Sequence, residues 1–136
     1  NIEMRFVDSN VFIYHIAADP QYGGRARKIL GRIEEGEEAA TSTLVITQVC
    51  SYLRWKKRQE TIPSFLSLLR GLTSLQKLDT RILDFEEARE THSKLKLPWS
   101  MWDDIVISEQ MKRLDTQEVY SNDRDFDEIP GIERIF

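Results

Sequence analysis

The chain has 136 residues, 40% hydrophobic and 31% charged, with a formal net charge of −4. This length suffices for one domain with a buried core, so we expect a single domain over residues 1–136. The acidic balance excludes a protein that coats nucleic acid through bulk positive charge, although a local basic patch is compatible with it. No apolar stretch approaches the roughly 18 residues of a membrane span.

Cysteine content and the N-terminal residues bear on the cellular compartment. Cys50 is the only cysteine, so the chain cannot form an internal disulfide. The first residues lack the basic, apolar and cleavage regions of a secretory signal. Together these features predict a protein of the reducing cytoplasm.

The predicted elements alternate between strands and helices along the chain. Short apolar runs indicate strands, and apolar residues that recur every three or four positions indicate helices. Ser42 and Ser100 stand where helices begin, and Gly36 stands where one ends. The predicted strands are 4–7, 39–41, 75–79, 117–120 and 132–136. The predicted helices are 11–18, 25–35, 43–58, 61–71, 80–96 and 101–114.

This order of elements predicts the fold class. Short strands separated by helices of ten residues or more imply parallel pairing with right-handed crossovers. We therefore expect an α/β fold, a three-layer α/β/α sandwich around a central, mostly parallel sheet, with 132–136 at its edge. In the helix over 80–96, Ile82, Phe85 and Ala88 form the apolar stripe that we expect to face the core.

Acidic residues follow two of the predicted strands. Asp8 comes directly after the first strand, and Asp123 lies just past the strand that ends at Tyr120. Asp103, with Asp104 beside it, lies in the first turn of the helix after Ser100. Ligands of open α/β sheets bind at the carboxyl ends of the strands, where these acids would converge. Clustered carboxylates without a set of Cys or His ligands favour Mg²⁺ or Mn²⁺, which suits phosphodiester hydrolysis.

Each acid also has an ordinary structural explanation. Asp8 belongs to an Asp-Ser-Asn turn, and these residue types commonly cap helices. Asp103 lies three residues after Ser100, as in a capping box with Asp in place of Glu. The stretch 121–125 is compatible with a simple polar turn. The joint placement of the acids is what favours a functional site.

Three stretches resemble motifs of the PIN-domain family, and in particular its VapC-like toxins. The opening Phe-Val-Asp-Ser-Asn of 6–10 is similar to the end of that family's first strand. The stretch 102–108, Trp-Asp-Asp-Ile-Val-Ile-Ser, resembles the start of its central helix. The late loop 121–126, Ser-Asn-Asp-Arg-Asp-Phe, is the most specific match. The three matches occur in the family's order, and the element order covers nearly the whole chain.

The resemblance implies an endoribonuclease that cuts single-stranded RNA with Mg²⁺ or Mn²⁺ and that an antitoxin protein neutralises. Asp8 and Asp103 would be the principal metal ligands, and Asp123 would bind a second ion or orient water. Asp103 is preferred to Asp104 because an aromatic residue, here Trp102, normally precedes the family's acid. The supporting residues, which hold the loop or donate hydrogen bonds, would be Asn10, Ser121 and Asp125.

One position departs from the family's pattern. The family usually carries a Glu in the helix after the second strand, and Gln48 occupies that place. A glutamine keeps an oxygen ligand but removes a full negative charge, so metal affinity should fall. The alternative function is therefore a catalytically degenerate PIN domain that binds RNA or protein without cutting.

Two further stretches suggest interaction surfaces. The segment 54–58 combines an aromatic residue with four cations that we expect to contact RNA, although cations at a helix end also stabilise its dipole. Those cations are Arg54, Lys56, Lys57 and Arg58. The stretch 62–75 is apolar enough to form core on one face and a homodimer surface on the other.

Other chemistries fit the sequence less well. A phosphatase of the haloacid dehalogenase type needs a second Asp two positions after the first, where Asn10 stands. A phospho-receiver domain has no role for the motif at 121–126. His15 and His92 lack the spacing of metal ligands, and Cys50 has no partner. Trp99 and Trp102 are expected to anchor a helix start, or to stack on bases if exposed.

Overall fold

The computed structural model describes residues 4–136, so the first three residues of the expected domain lie outside the described part. It shows a five-stranded sheet and six α-helices. The strands are β1 (Arg5–Val7), β2 (Ala39–Ser42), β3 (Leu75–Leu78), β4 (Glu118–Tyr120) and β5 (Glu133–Ile135). The helices are α1 (Ser9–Ile16), α2 (Gly23–Glu34), α3 (Thr43–Trp55), α4 (Ile62–Gly71), α5 (Ile82–Leu95) and α6 (Trp102–Arg113).

The sheet has the order β3-β2-β1-β4-β5, and every described strand pair is parallel. The α/β prediction is confirmed, and β5 lies at the edge as expected. Strand β1 is central, with β2 on one side and β4 on the other. The chain therefore leaves β1 in one direction and later returns on its other side. Such a reversal opens a crevice at the carboxyl ends of the two strands.

Helices cover both faces of this sheet. Phe6 and Val7 are consecutive residues of β1, so their side chains point to opposite faces, and both are completely buried. Helix α1 packs against α2 and α3, whereas α5 packs against α6. Gly36 follows α2 with a φ of 115°, a left-handed conformation that favours glycine and ends the helix as predicted. None of the helices within residues 4–136 has the length and apolar character that a bilayer crossing requires.

Helix α5 differs from the prediction in the face that it buries. Of the three residues expected to face the core, Ala88 is buried, but Ile82 and Phe85 are exposed and Asp84 is buried in their place. The Asp84 carboxylate accepts a hydrogen bond from the guanidinium of Arg113 at 2.9 Å, and this ion pair offsets the cost of burying the charge. The buried face of α5 therefore includes a paired acid as well as Ala88.

Helix α6 begins two residues after Ser100, the predicted cap. Met101 occupies the N-cap position without a side-chain hydrogen bond, so Ser100 is not the cap. A short 3₁₀ turn, Trp99–Met101, leads into the helix. The residues from Asp104 to Met111 are all buried, which places α6 deep in the fold.

Candidate active site

Three aspartates meet at the carboxyl edge of the sheet. Asp8 directly follows β1, and its backbone N–H donates to the Tyr120 carbonyl at 3.0 Å, which ties it to the end of β4. Asp123 lies three residues beyond that end, and Asp104 lies in the first turn of α6. One carboxylate oxygen from each of the three acids lies within 4.8 Å of the others. The predicted convergence of Asp8 and Asp123 is therefore present.

The third acid of this cluster is Asp104 and not Asp103, which the family's motif favoured. Asp103 is exposed, and its Oδ2 accepts a hydrogen bond from Gln48 Nε2 at 2.9 Å. Asp104 is 7% exposed and lies on the same helical face as the buried residues Met101 and Ser108. Asp103 is equally three and four residues from buried positions, Val106 and Ile107, so the spacing in the sequence does not distinguish the two acids.

Asp8 is held by three donors. Its Oδ1 accepts the backbone N–H of Ser9 at 2.8 Å, so Asp8 also caps α1. Its Oδ2 accepts the hydroxyl of Ser121 at 2.7 Å and the amide of Asn10 at 3.2 Å. The capping explanation and the clustering of acids are thus both correct for this residue, because one oxygen caps the helix and the other faces the supporting side chains.

Ser121 connects the two loops of the site. Its buried hydroxyl donates to Asp8 and accepts from Asn10 Nδ2 at 3.1 Å and from the Asp123 backbone N–H at 3.0 Å. Asp123 Oδ1 in turn accepts the backbone N–H of Asp125 at 3.0 Å. The residues that the sequence assigned to support, Asn10, Ser121 and Asp125, therefore all contact the cluster or its loop.

Burial and nearby negative charge raise the pKa values of two acids of the cluster, Asp8 and Asp104. Burial, followed by the charges of Asp123 and Asp8, raises the pKa of Asp104 to about 8. Burial raises the pKa of Asp8 to about 6, with a further increase from Asp123, although the Ser121 and Ser9 hydrogen bonds oppose it. The pKa of Asp125 is raised by partial burial and by Asp123. Nearby positive charge would relieve this repulsion.

Gln48 lies beside the cluster and contacts the outer acid. Its Nε2 donates to Asp103, and its buried Oε1 has no hydrogen-bond partner within residues 4–136. A glutamate here would place a carboxylate against Asp103, where glutamine instead forms a hydrogen bond without adding charge. Gln48, where the family usually has a glutamate, thus contacts an acid outside the cluster, Asp103.

The donor set of the cluster fits a divalent cation. Asp8, Asp104 and Asp123 supply only carboxylate oxygens, which suit Mg²⁺ and Mn²⁺ better than zinc. A cation held by few protein ligands retains positions for water and a phosphate oxygen. Within residues 4–136, the charges that raise the pKa values of Asp8 and Asp104 are those of other aspartates. The residues present are therefore those that metal-dependent phosphodiester hydrolysis needs.

The two predicted interaction surfaces lie at the end of α3 and on α4. The segment 54–58, which we call the basic segment, is exposed at the end of α3. Arg54 stands six residues after Gln48, or about 9 Å along the helix at 1.5 Å per residue. In α4, Phe65 and Leu69 are buried whereas Leu66 is exposed, so this helix does contribute core on one face.

The fold and the pocket define a parallel α/β protein with three carboxylates at the carboxyl edge of its sheet. The model of the PIN domain family matches residues 5–132. The chain therefore belongs to the PIN domain family, as its motifs suggested.

Curated relatives and solved structures agree with this assignment. Ribonuclease VapC13 of Mycobacterium tuberculosis and the VapC ribonuclease Mb1869c of Mycobacterium bovis are each 27% identical over 134 residues, covering 97% of this chain and 99% of the relative. The fold is similar to that of M. tuberculosis VapC20, a sarcin-ricin loop cleaving toxin, with a TM-score of 0.74, 18% identity and coverage of 90% and 92%. It is also similar to a chain of VapBC2 from Rickettsia felis bound to a promoter DNA fragment, with a TM-score of 0.71, 18% identity and 97% coverage of both.

Proposed function

We propose that this chain is a metal-dependent endoribonuclease that hydrolyses phosphodiester bonds of single-stranded RNA. The observation that carries the proposal is the convergence of Asp8, Asp104 and Asp123 at the carboxyl edge of the sheet. The names of the two curated relatives support the reaction, since both are ribonucleases. They do not favour the alternative of a degenerate, non-cutting domain.

Asp8, Asp104 and Asp123 would hold a Mg²⁺ or Mn²⁺ ion. When bound, the ion would supply polarisation of a phosphoryl oxygen and a lower pKa for an attacking water. The protein contributes the shape and orientation of the pocket. Ser121 and Asn10 fix the Asp8 carboxylate through hydrogen bonds, and burial limits the access of bulk water to Asp8 and Asp104.

The biological role follows from the family. The Rickettsia felis structure is of a VapBC pair, which supports a toxin role for this chain and an antitoxin protein as its partner. We propose action in the cytoplasm, a homodimeric assembly, and RNA contacts by the cations of the basic segment, Arg54, Lys56, Lys57 and Arg58. Size-exclusion chromatography with light scattering tests the dimer, and co-purification with the product of a neighbouring short gene tests the antitoxin.

A cleavage assay with two adjacent variants tests the catalytic proposal. Single-stranded RNA is incubated with Mn²⁺ and the native chain, Asp104→Asn or Asp103→Asn. Removing one residue that only orients a metal ligand typically costs 10- to 100-fold, so loss of a ligand in Asp104→Asn should lower the rate by at least about a hundredfold. Asp103→Asn should stay within about threefold of the native chain, because exposed charges contribute little.

The outcomes separate the two acids. Equal losses in both variants would mean that Asp103 also takes part, as the family's usual sequence pattern suggested. No Mn²⁺-dependent cleavage by the folded native chain would contradict the ribonuclease proposal. Calorimetric titration with Mn²⁺ checks the ion independently of cleavage, and Asp104→Asn should abolish the measured heat.

A further inference from the structure

An aromatic stack lies at the start of α6, the helix that contains Asp104. The rings of His92 and Trp99 are stacked, with centroids 3.7 Å apart and planes inclined by 25°. The Trp102 ring packs against both, at 5.8 Å from Trp99 and 6.3 Å from His92. Trp102 is half-buried, whereas Trp99 is 69% exposed. Trp99 is thus a rigidly backed ring that remains largely open to solvent.

The stack lies at the same edge of the sheet as the acids. Trp99 belongs to the 3₁₀ turn that leads into α6, and Asp104 follows five residues later. At about 1.5 to 2 Å of rise per residue, the two backbones are separated by about 9 Å along this segment. Stacked nucleotides rise by ~3.4 Å each, so that separation corresponds to two or three nucleotides.

Trp99 differs in its surroundings from the other strongly exposed tryptophan. Trp55 is 74% exposed, but the Lys56 ammonium lies 4.6 Å from its ring centre. No cation lies over the Trp99 ring within the part of the chain that the structure describes. Two exposed lysines, Lys94 and Lys96, follow His92 at the end of α5, where they can meet a phosphate backbone. An open aromatic face beside cations is the arrangement that single-stranded nucleic acid binds.

We propose that Trp99, backed by the His92 ring, stacks on a base of the RNA substrate close to the scissile phosphate. This inference rests on the proposed ribonuclease function and deepens it by naming a base-binding residue of the same site. Stacking on an indole tolerates every base, because every base has a π face. The platform would therefore secure unpaired nucleotides without selecting a sequence, and a paired base would be inaccessible to it.

Binding without cleavage tests the proposal. A fluorescein-labelled, unstructured 12-nucleotide RNA is titrated with the native chain in EDTA, and anisotropy gives the Kd. Trp99→Ala should weaken binding about tenfold, and Trp99→Phe should retain most of the affinity, because an aromatic face remains. Ile82→Ala, which removes another exposed apolar side chain from the neighbouring helix, is the matched control and should not change the Kd.

Abasic substitutions in the RNA sharpen the test. Removing one base at a time should identify a position where the native chain loses affinity for the RNA. At that position the Trp99→Ala variant should show no further loss of affinity. Such non-additivity indicates direct contact between the base and the ring. Circular dichroism and thermal melting check that each variant is folded.

Several results would contradict the proposal that Trp99 stacks on a base of the RNA. If Trp99→Ala binds the RNA as well as the native chain, stacking is wrong, while Mn²⁺-dependent cleavage can still support the ribonuclease proposal. If Trp99→Ala converts a dimer into a monomer, the ring belongs to a protein interface instead. If the native chain binds no RNA and also fails the cleavage assay, both proposals are wrong.

Discussion

The carboxylate pocket and the basic segment are two highly charged regions of the molecule, and they are built in opposite ways. In the pocket, one carboxylate oxygen from each of two buried acids and the half-buried Asp123 lies within 4.8 Å of the others, and neighbouring side chains donate hydrogen bonds to Asp8. In the basic segment, like charges extend into solvent, and the contact of Lys56 with Trp55 is a loose cation–π approach of 4.6 Å.

This difference indicates which of the two charged regions is the stronger evidence of function. Burying carboxylates together is unfavourable, as the raised pKa values of Asp8 and Asp104 indicate. A fold that keeps such carboxylates is less stable for it, which indicates that they serve a function. Exposed cations at a helix end cost little and stabilise the helix dipole. The pocket therefore points to function strongly, whereas the basic segment does so weakly.

Removing the support of the pocket should have the largest effect. Ser121→Ala deletes the donor that holds Asp8 Oδ2 and the acceptor for the Asp123 backbone. Affinity for Mn²⁺, measured by calorimetry, should fall about 10- to 100-fold, as for other residues that orient metal ligands. Ser67→Ala, at an exposed position of α4, is the control. An unchanged affinity in Ser121→Ala would mean that Asp8 needs no such support.

Thermal stability should reveal the repulsion in the pocket. The folded pKa values of Asp8 and Asp104, about 6 and about 8, exceed the ordinary value of 3.8. Because both carboxyl groups bind a proton more tightly in the folded state, their contribution to the free energy of unfolding is fully present below pH 3.8. It is lost as the pH rises through 6 and 8. The metal-free Tm should therefore fall by at least about 5 °C between pH 5 and pH 9. Asp104→Asn should flatten this fall, and a slope equal to that of the native chain would rule out the Asp104 carboxylate as its source.

Restoring the family's usual acid should shift the balance between stability and ion binding. Gln48→Glu replaces the hydrogen bond to Asp103 with a repulsive pair of carboxylates. We expect a lower metal-free Tm and an Mn²⁺ affinity about fivefold higher, because a cation offsets that repulsion. Gln48→Ala removes the hydrogen bond without adding charge and serves as control. A gain of affinity in both variants would exclude charge as its cause.

The basic segment should give the smallest effect. Lys56→Gln with Arg58→Gln should weaken RNA binding about threefold, since exposed charges contribute little. If both cations contact phosphates, the slope of log Kd against log salt should fall by about 1.4, near 0.7 per contact for single strands. Arg27→Gln with Lys28→Gln makes the same charge change on α2. Equal effects in the two pairs would show a general charge effect and no specific contact.

Much of the fold could be predicted because local patterns and global packing agree. The strand and helix order followed from apolar runs and spacings, and the parallel sheet followed from that order. The prediction was wrong for α5, where a paired Asp84 turned inward and left Ile82 exposed. Its partner Arg113 lies twenty-nine residues away in the sequence, so no local pattern reports that pair.

By itself the sequence determined that acids follow two strands, that a third acid opens a helix, and that these motifs occur in the order of one family. Only the tertiary structure decided between Asp103 and Asp104. Successive residues of a helix differ by about 100° in direction, so Asp103 and Asp104 point to different surroundings. The packing of α6 fixes the rotation of the helix about its axis. In that orientation Asp104 faces Asp8 and Asp123, and Asp103 instead accepts a hydrogen bond from Gln48.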